Sequence, residues 1–267
     1  MGNKSQSTPQ EASETESVYF ELQASWGVTK HMGGLETTIE LADLCHIDGD
    51  KYVLVVGCGV GITPCYLAER YGCPVVGVDL SEKMITRSGE RAKRKGVEDR
   101  VEFRVADAQN LPFKDATFDA VICESVLAFV GDKQRAVNEF TRVAKPGGYA
   151  GFNEVTWIEP PPAEMVEYMT RIMGAGFLTA DGWKALTEGS RLKEMTASTY
   201  KTSAWSQWAS EVRQFEFWDF LKAWGKYLYL FIKSPACRRF TRESLAFPRS
   251  IFSLFRYFGY GIYTGRK

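Results

Sequence analysis

Asp79, Asp107, Glu124, Glu154 and His31 are the side chains whose place in the sequence suggests chemistry, because each stands beside an apolar run or a glycine cluster. Asp79 ends a short β-branched run, Asp107 follows the expected strand Val101 to Val105, and Gly57, Gly59 and Gly61 follow another β-branched run on alternate positions. An acid at the end of one buried strand and a glycine turn at the end of its neighbour make a nucleotide-type site. The carboxylate accepts ribose hydroxyls, and N–H groups at the start of the next helix face polar parts of the ligand. His31 and Glu154 are candidate bases or orienting groups for a reacting partner. Tyr19 is a third candidate.

The dinucleotide fingerprint G-x-G-x-x-G is not met, since the third glycine comes one place early and Ile62 takes the last position. A phosphate-binding P-loop is excluded, because no Lys-Ser or Lys-Thr follows the glycines.

The elements that must hold these residues alternate. Strands are expected over residues 53–56, 74–78, 101–105, 118–123 and 149–155. Helices are expected over 62–71, from Ser81 as N-cap to a stop at Gly96, and over 133–143 before Lys145-Pro146-Gly147-Gly148. This is the pattern of a doubly wound, mostly parallel sheet in an α/β fold. Ahead of it, residues 1–17 read as a disordered tail and 18–50 as two helices, the second with Leu35, Ile39, Leu41 and Leu44 as its apolar face. Beyond residue 156 the alternation fails: helices over 165–173 and 181–187, a strand over 192–202, an aromatic helical stretch over 205–247 and a last strand over 260–265.

Six motifs occur in order: residues 53–61, Val76-Gly77-Val78-Asp79-Leu80-Ser81, Ala106-Asp107-Ala108, Leu111-Pro112-Phe113, Phe118-Asp119-Ala120-Val121 and Arg142-Val143-Ala144-Lys145-Pro146-Gly147-Gly148. Together they resemble class I S-adenosylmethionine-dependent methyltransferases with a methyltransferase type 11 core, over residues 52–155. The resemblance implies a seven-stranded, Rossmann-like sheet with a helical cap and S-adenosylmethionine as cofactor. Gly57, Cys58, Gly59 and Gly61 would then meet the methionine and ribose, and Asp79 the two ribose hydroxyls. Leu80 and Met84 would lie against the adenine, Asp107 would take its amino group and Ala108 N–H a ring nitrogen. Glu124 would lie beside the methionine amine. The division that follows is a donor-binding core over 51–156, N-terminal helices covering it, and a region over 157–267 that adds strands and the cap.

Charge and cysteines narrow the partners. Thirty-three Lys and Arg balance 33 Asp and Glu, so no global field draws nucleic acid. The six cysteines include no CxxC pair and read as small core residues of a reducing, cytoplasmic compartment. His31 and His46 have no ligand spacing with them, so no metal is expected. No apolar run is long enough to span a membrane, and neither a signal peptide nor a myristoylation start is read at the N-terminus.

The acceptor is approached by elimination within the resemblance. Cys123-Glu124-Ser125-Val126 stands where DNA amino-methylating enzymes carry a Pro-Pro motif, and the paired glutamates of protein-arginine enzymes are missing. Ser25-Trp26-Gly27 with His31 and Gly33-Gly34 is similar to the stretch that closes over the donor in tocopherol- and sterol-type methyltransferases. The aromatic stretch after residue 205 and the basic run after Lys222 suggest an apolar pocket with a basic rim. The expected acceptor is a small or amphiphilic, lipid-like molecule, with peripheral membrane contact through this cap. A small water-soluble amine, alcohol or thiol is the alternative, and a non-catalytic S-adenosylmethionine-binding regulator is the rival from another class.

Overall fold

The computed structural model describes residues 31–202 and 217–267. The tail over 1–17, the first expected helix, Tyr19, Trp26, Trp205, Trp208 and Phe215 lie outside the described residues. The described chain opens with helix α1 (Gly34–Leu44), followed by β1 (Val53–Val56), α2 (Ile62–Tyr71), β2 (Val75–Asp79), α3 (Glu82–Lys95), β3 (Val101–Val105) and β4 (Phe118–Glu124). A 3-10 turn (Leu127–Phe129) leads to α4 (Lys133–Val143), β5 (Ala144–Trp157), α5 (Ala163–Met173), β6 (Leu178–Thr179), α6 (Ala180–Glu188) and β7 (Lys193–Lys201). A helical hairpin, α7 (Phe217–Lys233) and α8 (Pro235–Leu245), a 3-10 turn (Arg249–Ser253) and the short α9 (Leu254–Tyr257) precede β8 (Phe258–Arg266).

The sheet runs β3-β2-β1-β4-β5-β8-β7, with the two-residue β6 added beside β5. β1 through β5 are parallel, and β8 runs antiparallel to both β5 and β7. The order reverses between β1 and β4, and ligands of doubly wound sheets sit at the carboxyl ends of the strands at such a switch point. All four β1 residues are buried, with Leu54 and Val56 in the layer of α4 and α6 and Val53 and Val55 in the layer of α1 and α2. Burial of each such side chain contributes roughly 1.5–3 kcal/mol, which explains why this strand is an unbroken apolar run.

Helix ends follow local chemistry. Ser81 accepts the Met84 N–H at the start of α3, and Gly96, at φ 66°, ends it behind Lys93, Arg94 and Lys95. Asp132 caps α4 by accepting the Arg135 N–H at 2.9 Å. Ser234 caps α8 with Pro235 in its first turn, which breaks the expected 205–247 helix in two.

Three expectations shift. α1 turns Thr37 and Thr38 inward with Leu41 and leaves Leu35 exposed, because the Thr38 hydroxyl donates to Glu124 at the carboxyl end of β4. β5 starts directly after α4, and its bulge between the Phe118 and Ala120 pairings absorbs the Lys145-to-Gly148 turn. Its other end runs on to Trp157, because Thr156 and Trp157 pair with both β6 and β8. Asn153 and Glu154 therefore lie inside the strand, not at its end.

Candidate functional site

At the carboxyl end of β1, Gly57, Gly59 and Gly61 all have left-handed backbones, at φ 69°, 54° and 80°. Two of them also make room for protein. A Cβ on Gly57 would stand 2.2 Å from Val126 Cγ2, and one on Gly61 would stand 2.9 Å from Ser88 Cβ. The Cys58 thiol is buried, and burial pushes its titration upward. Cys58 N–H continues the sheet by donating to Val78 O at 2.8 Å. From α3, the Ser88 hydroxyl lies 2.8 Å from the Gly59 carbonyl and Arg91 Nε donates to the Val60 carbonyl at 2.9 Å. The turn is therefore held from outside and presents backbone inward.

Asp79, at the end of β2, is the hub of this cradle. Its Oδ2 accepts the Gly59 N–H at 2.9 Å and its Oδ1 accepts the Ser81 N–H at 3.0 Å. Burial pushes its carboxyl above the usual range, against the pull of these N–H bonds. Each oxygen keeps a further lone pair, so the group fits a ligand diol as well as the turn. Leu80 is 73% exposed beside it, while Met84 is buried with Val60 and Ile62. Asp107 follows β3 and accepts the Gln109 N–H at 2.8 Å, with the Gln109 amide also on its carboxylate. Ala108 is buried behind it.

The end of β4 carries a second polar cluster. Glu124 Oε1 accepts the Thr38 hydroxyl at 2.8 Å, and its Oε2 accepts the Thr63 hydroxyl at 2.6 Å. His31 Nδ1 stands 3.7 Å from the same Oε1, with Nε2 3.4 Å from Thr38 Oγ1. The neighbouring backbone is clasped too: Asn153 Nδ2 donates to Met32 O at 2.9 Å, and Met32 N–H donates to Ser125 Oγ at 3.2 Å. His31 thus arrives at the switch point with its main chain fixed. Thr38, Thr63, Ser88, Ser125 and Asn153 were not singled out in the sequence; each is a small polar residue in an ordinary setting until the fold supplies its partner.

Glu154 lies apart from this cluster. It is fully buried, and Oε1 accepts the N–H groups of Val126 and Leu127 at 2.7 and 2.6 Å. Oε2 has no hydrogen-bond partner, and burial raises the carboxyl to about 8. It secures the turn after β4, whose Val126 fills the space over Gly57. Among the described residues no group of three or more His, Cys, Asp or Glu is placed to hold a metal ion. All six cysteines are free and buried.

Beyond β5 a cleft of about 600 Å³ opens between the ends of β5, β6 and β7. Trp157, Ile158 and Tyr200 line it together with the charged Glu159, Asp181 and Lys201.

Residues 54–152 match the family model of a methyltransferase domain. A protein of Haemophilus influenzae without assigned function is 32% identical over 167 residues, covering 61% of this chain and 66% of its own length. Norajmaline N-methyltransferase of Rauvolfia serpentina is 42% identical over 97 residues, 36% of this chain and 33% of that enzyme. The chain thus spans less than two thirds of the length of either relative. Among solved structures, geranyl diphosphate methyltransferase in complex with S-adenosylmethionine superposes with a TM-score of 0.65 at 17% identity, over 86% of this chain and 84% of that one. That likeness establishes a shared fold, the Rossmann-like methyltransferase architecture.

Proposed function

Through residues 54–152 the chain belongs to the class I S-adenosylmethionine-dependent methyltransferases, and from that membership we propose that it transfers a methyl group to an amphiphilic, lipid-like acceptor. The observation that carries the donor half is the Asp79 carboxylate bound at once to Gly59 and Ser81, which ties the left-handed glycine turn to the end of β2. The residues present fit the donor. Asp79 has acceptor capacity left for a diol, Leu80 offers exposed apolar surface for a base, and Glu124 supplies an anion for an amine.

S-adenosylmethionine held by the Gly57–Gly61 turn, Asp79 and Glu124 would supply an electrophilic sulfonium methyl for in-line displacement by the acceptor's lone pair. The protein's part is mainly to hold the two reactants in line, which supplies several kcal/mol of barrier lowering. An acceptor that carries a proton must lose it. His31 is our candidate to take it, with the Glu124 carboxylate 3.7 Å from its Nδ1 to orient the ring. Glu154 acts as a positioning residue for the turn after β4.

The acceptor half rests on the region after β5. The cleft with its apolar wall and charged rim suits a molecule with an apolar body and a polar head. The test is incubation with methyl-labelled donor and either total lipid extract or a pool of water-soluble metabolites. Label in the organic phase supports the reading. Label in the water-soluble pool alone would transfer it to a small amine, alcohol or thiol. Donor binding with no label in either pool would leave a regulatory S-adenosylmethionine-binding protein.

A further inference from the structure

We propose that the hairpin of α7 and α8, with the turn that follows it, docks the chain on an anionic phospholipid surface. Eight Lys and Arg face a single acid, Glu243, between residues 222 and 256, a net of +7 inside a chain whose total is zero. Cations are therefore segregated onto one unit of the fold.

The same unit leaves large apolar side chains uncovered. Its inner face is accounted for: Leu230 is buried against Cys237, and the Tyr227 hydroxyl meets Thr241 Oγ1 at 3.0 Å. Leu228 and Ile232, one turn apart on another side of α7, are exposed, Ile232 by 71%. In the following turn Phe252 is 81% exposed and stacks edge-on against exposed Phe247. Lys233, Arg242 and Arg249 of the same unit are exposed, and no carboxylate among the described residues pairs with them.

The hairpin is fixed to the sheet and not merely appended. Phe240 packs into both the hairpin core and the α5 layer, and the Tyr168 hydroxyl donates to Ser244 O at 2.7 Å. Arg256 pairs with Glu159 at 3.1 Å, beside the cleft beyond β5. A protein partner's contact core is depleted of charge. Exposed Leu, Ile and Phe on a unit that itself carries eight Lys and Arg and one acid, with Glu159 and Glu164 of the neighbouring segment held by Arg256 and Ser250, instead match an interfacial helix on an anionic leaflet. Docking there brings the cleft to the source of an amphiphilic acceptor. That use rests on the acceptor reading above; the surface itself stands on its own exposure and charge.

The test is flotation of the full chain with phosphatidylcholine vesicles, with and without about one-third phosphatidylglycerol. The chain should float with the anionic vesicles, remain behind with the neutral ones, and release as salt rises from about 0.1 to 0.5 M. Leu228→Ser with Ile232→Ser, and separately Lys233→Glu with Arg249→Glu, should each weaken binding about tenfold or more while donor affinity stays unchanged. No flotation with anionic vesicles, or flotation indifferent to both double variants, overturns the proposal. So does a stable dimer in solution that Ile232→Ser dissociates, since the stripe would then be covered by a second copy. Donor affinity on the same samples separates failure of docking from failure of the methyltransferase reading.

Discussion

The Thr63 hydroxyl donates to Glu124 Oε2 at 2.6 Å, joining the first turn of α2 to the end of β4 across the switch point. The other carboxylate oxygen takes Thr38 from α1, so three elements converge on one anion with 6% side-chain exposure. Thr63→Val leaves a nearly buried carboxylate oxygen without its donor. The expected loss is about 1–3 kcal/mol by urea denaturation, with Thr63→Ser close to the parent. A valine variant as stable as the parent would mean that water replaces the hydroxyl at no cost.

Gly57 is required by its neighbour as well as by its backbone. At φ 69°, with Val126 Cγ2 2.2 Å from any Cβ, Gly57→Ala carries roughly 1–3 kcal/mol of backbone strain plus a steric clash. Val126→Ala in the same chain removes both methyls but keeps a Cβ at 3.0 Å, so it should recover most of the steric part and leave the backbone part. A double-mutant cycle by denaturation measures the coupling, and strict additivity would show that Val126 is not what excludes the side chain.

Much of the fold was legible because parallel strands buried on both faces must be apolar throughout, and residues 53–56, 75–78 and 118–123 are nearly so. The caps of α3 were legible for a similar reason, since Ser81 and Gly96 act on backbone one turn away. The polar cluster at Glu124 was not. Thr38 and Thr63 lie 86 and 61 positions from their partner, and a lone threonine on a helix carries no sign of where its hydroxyl goes. The same holds for α1: its inward face is set by Thr38 reaching Glu124, so the leucine pattern placed Leu35 on the wrong side. Trp157 ends β5 for a reason outside the strand, the pairing offered by the two-residue β6.

Glu154 should make stability depend on pH. Its folded value is raised from 4.5 to about 8, so the folded protein holds a proton there that the unfolded chain has released. Its contribution is fully present below about pH 4.5 and falls as the pH rises toward 8, by an amount on the order of a few kcal/mol. Cys123, Lys133 and Tyr263, from β4, α4 and β8, are the titratable groups coupled to it. Glu154→Gln, which can still accept from Val126 and Leu127, should flatten this slope in denaturation midpoints taken from pH 5 to 9. An unchanged slope would place the titrating group elsewhere.

The proposed function gives His31 the acceptor's proton. His31→Asn should lower turnover about a hundredfold, with donor affinity nearly unchanged. Equal losses in turnover and donor affinity would make it a residue of the donor lid instead.

The central claim is that the Asp79-braced glycine turn binds S-adenosylmethionine. Calorimetric titration with the donor and with its demethylated product tests it directly, on the parent and on Asp79→Ala. The account predicts saturable one-to-one binding of both ligands by the parent, and a loss of about tenfold to a hundredfold in the variant, equivalent to about 1–3 kcal/mol. Absence of binding by the folded parent, or an Asp79→Ala affinity equal to it, would contradict the account.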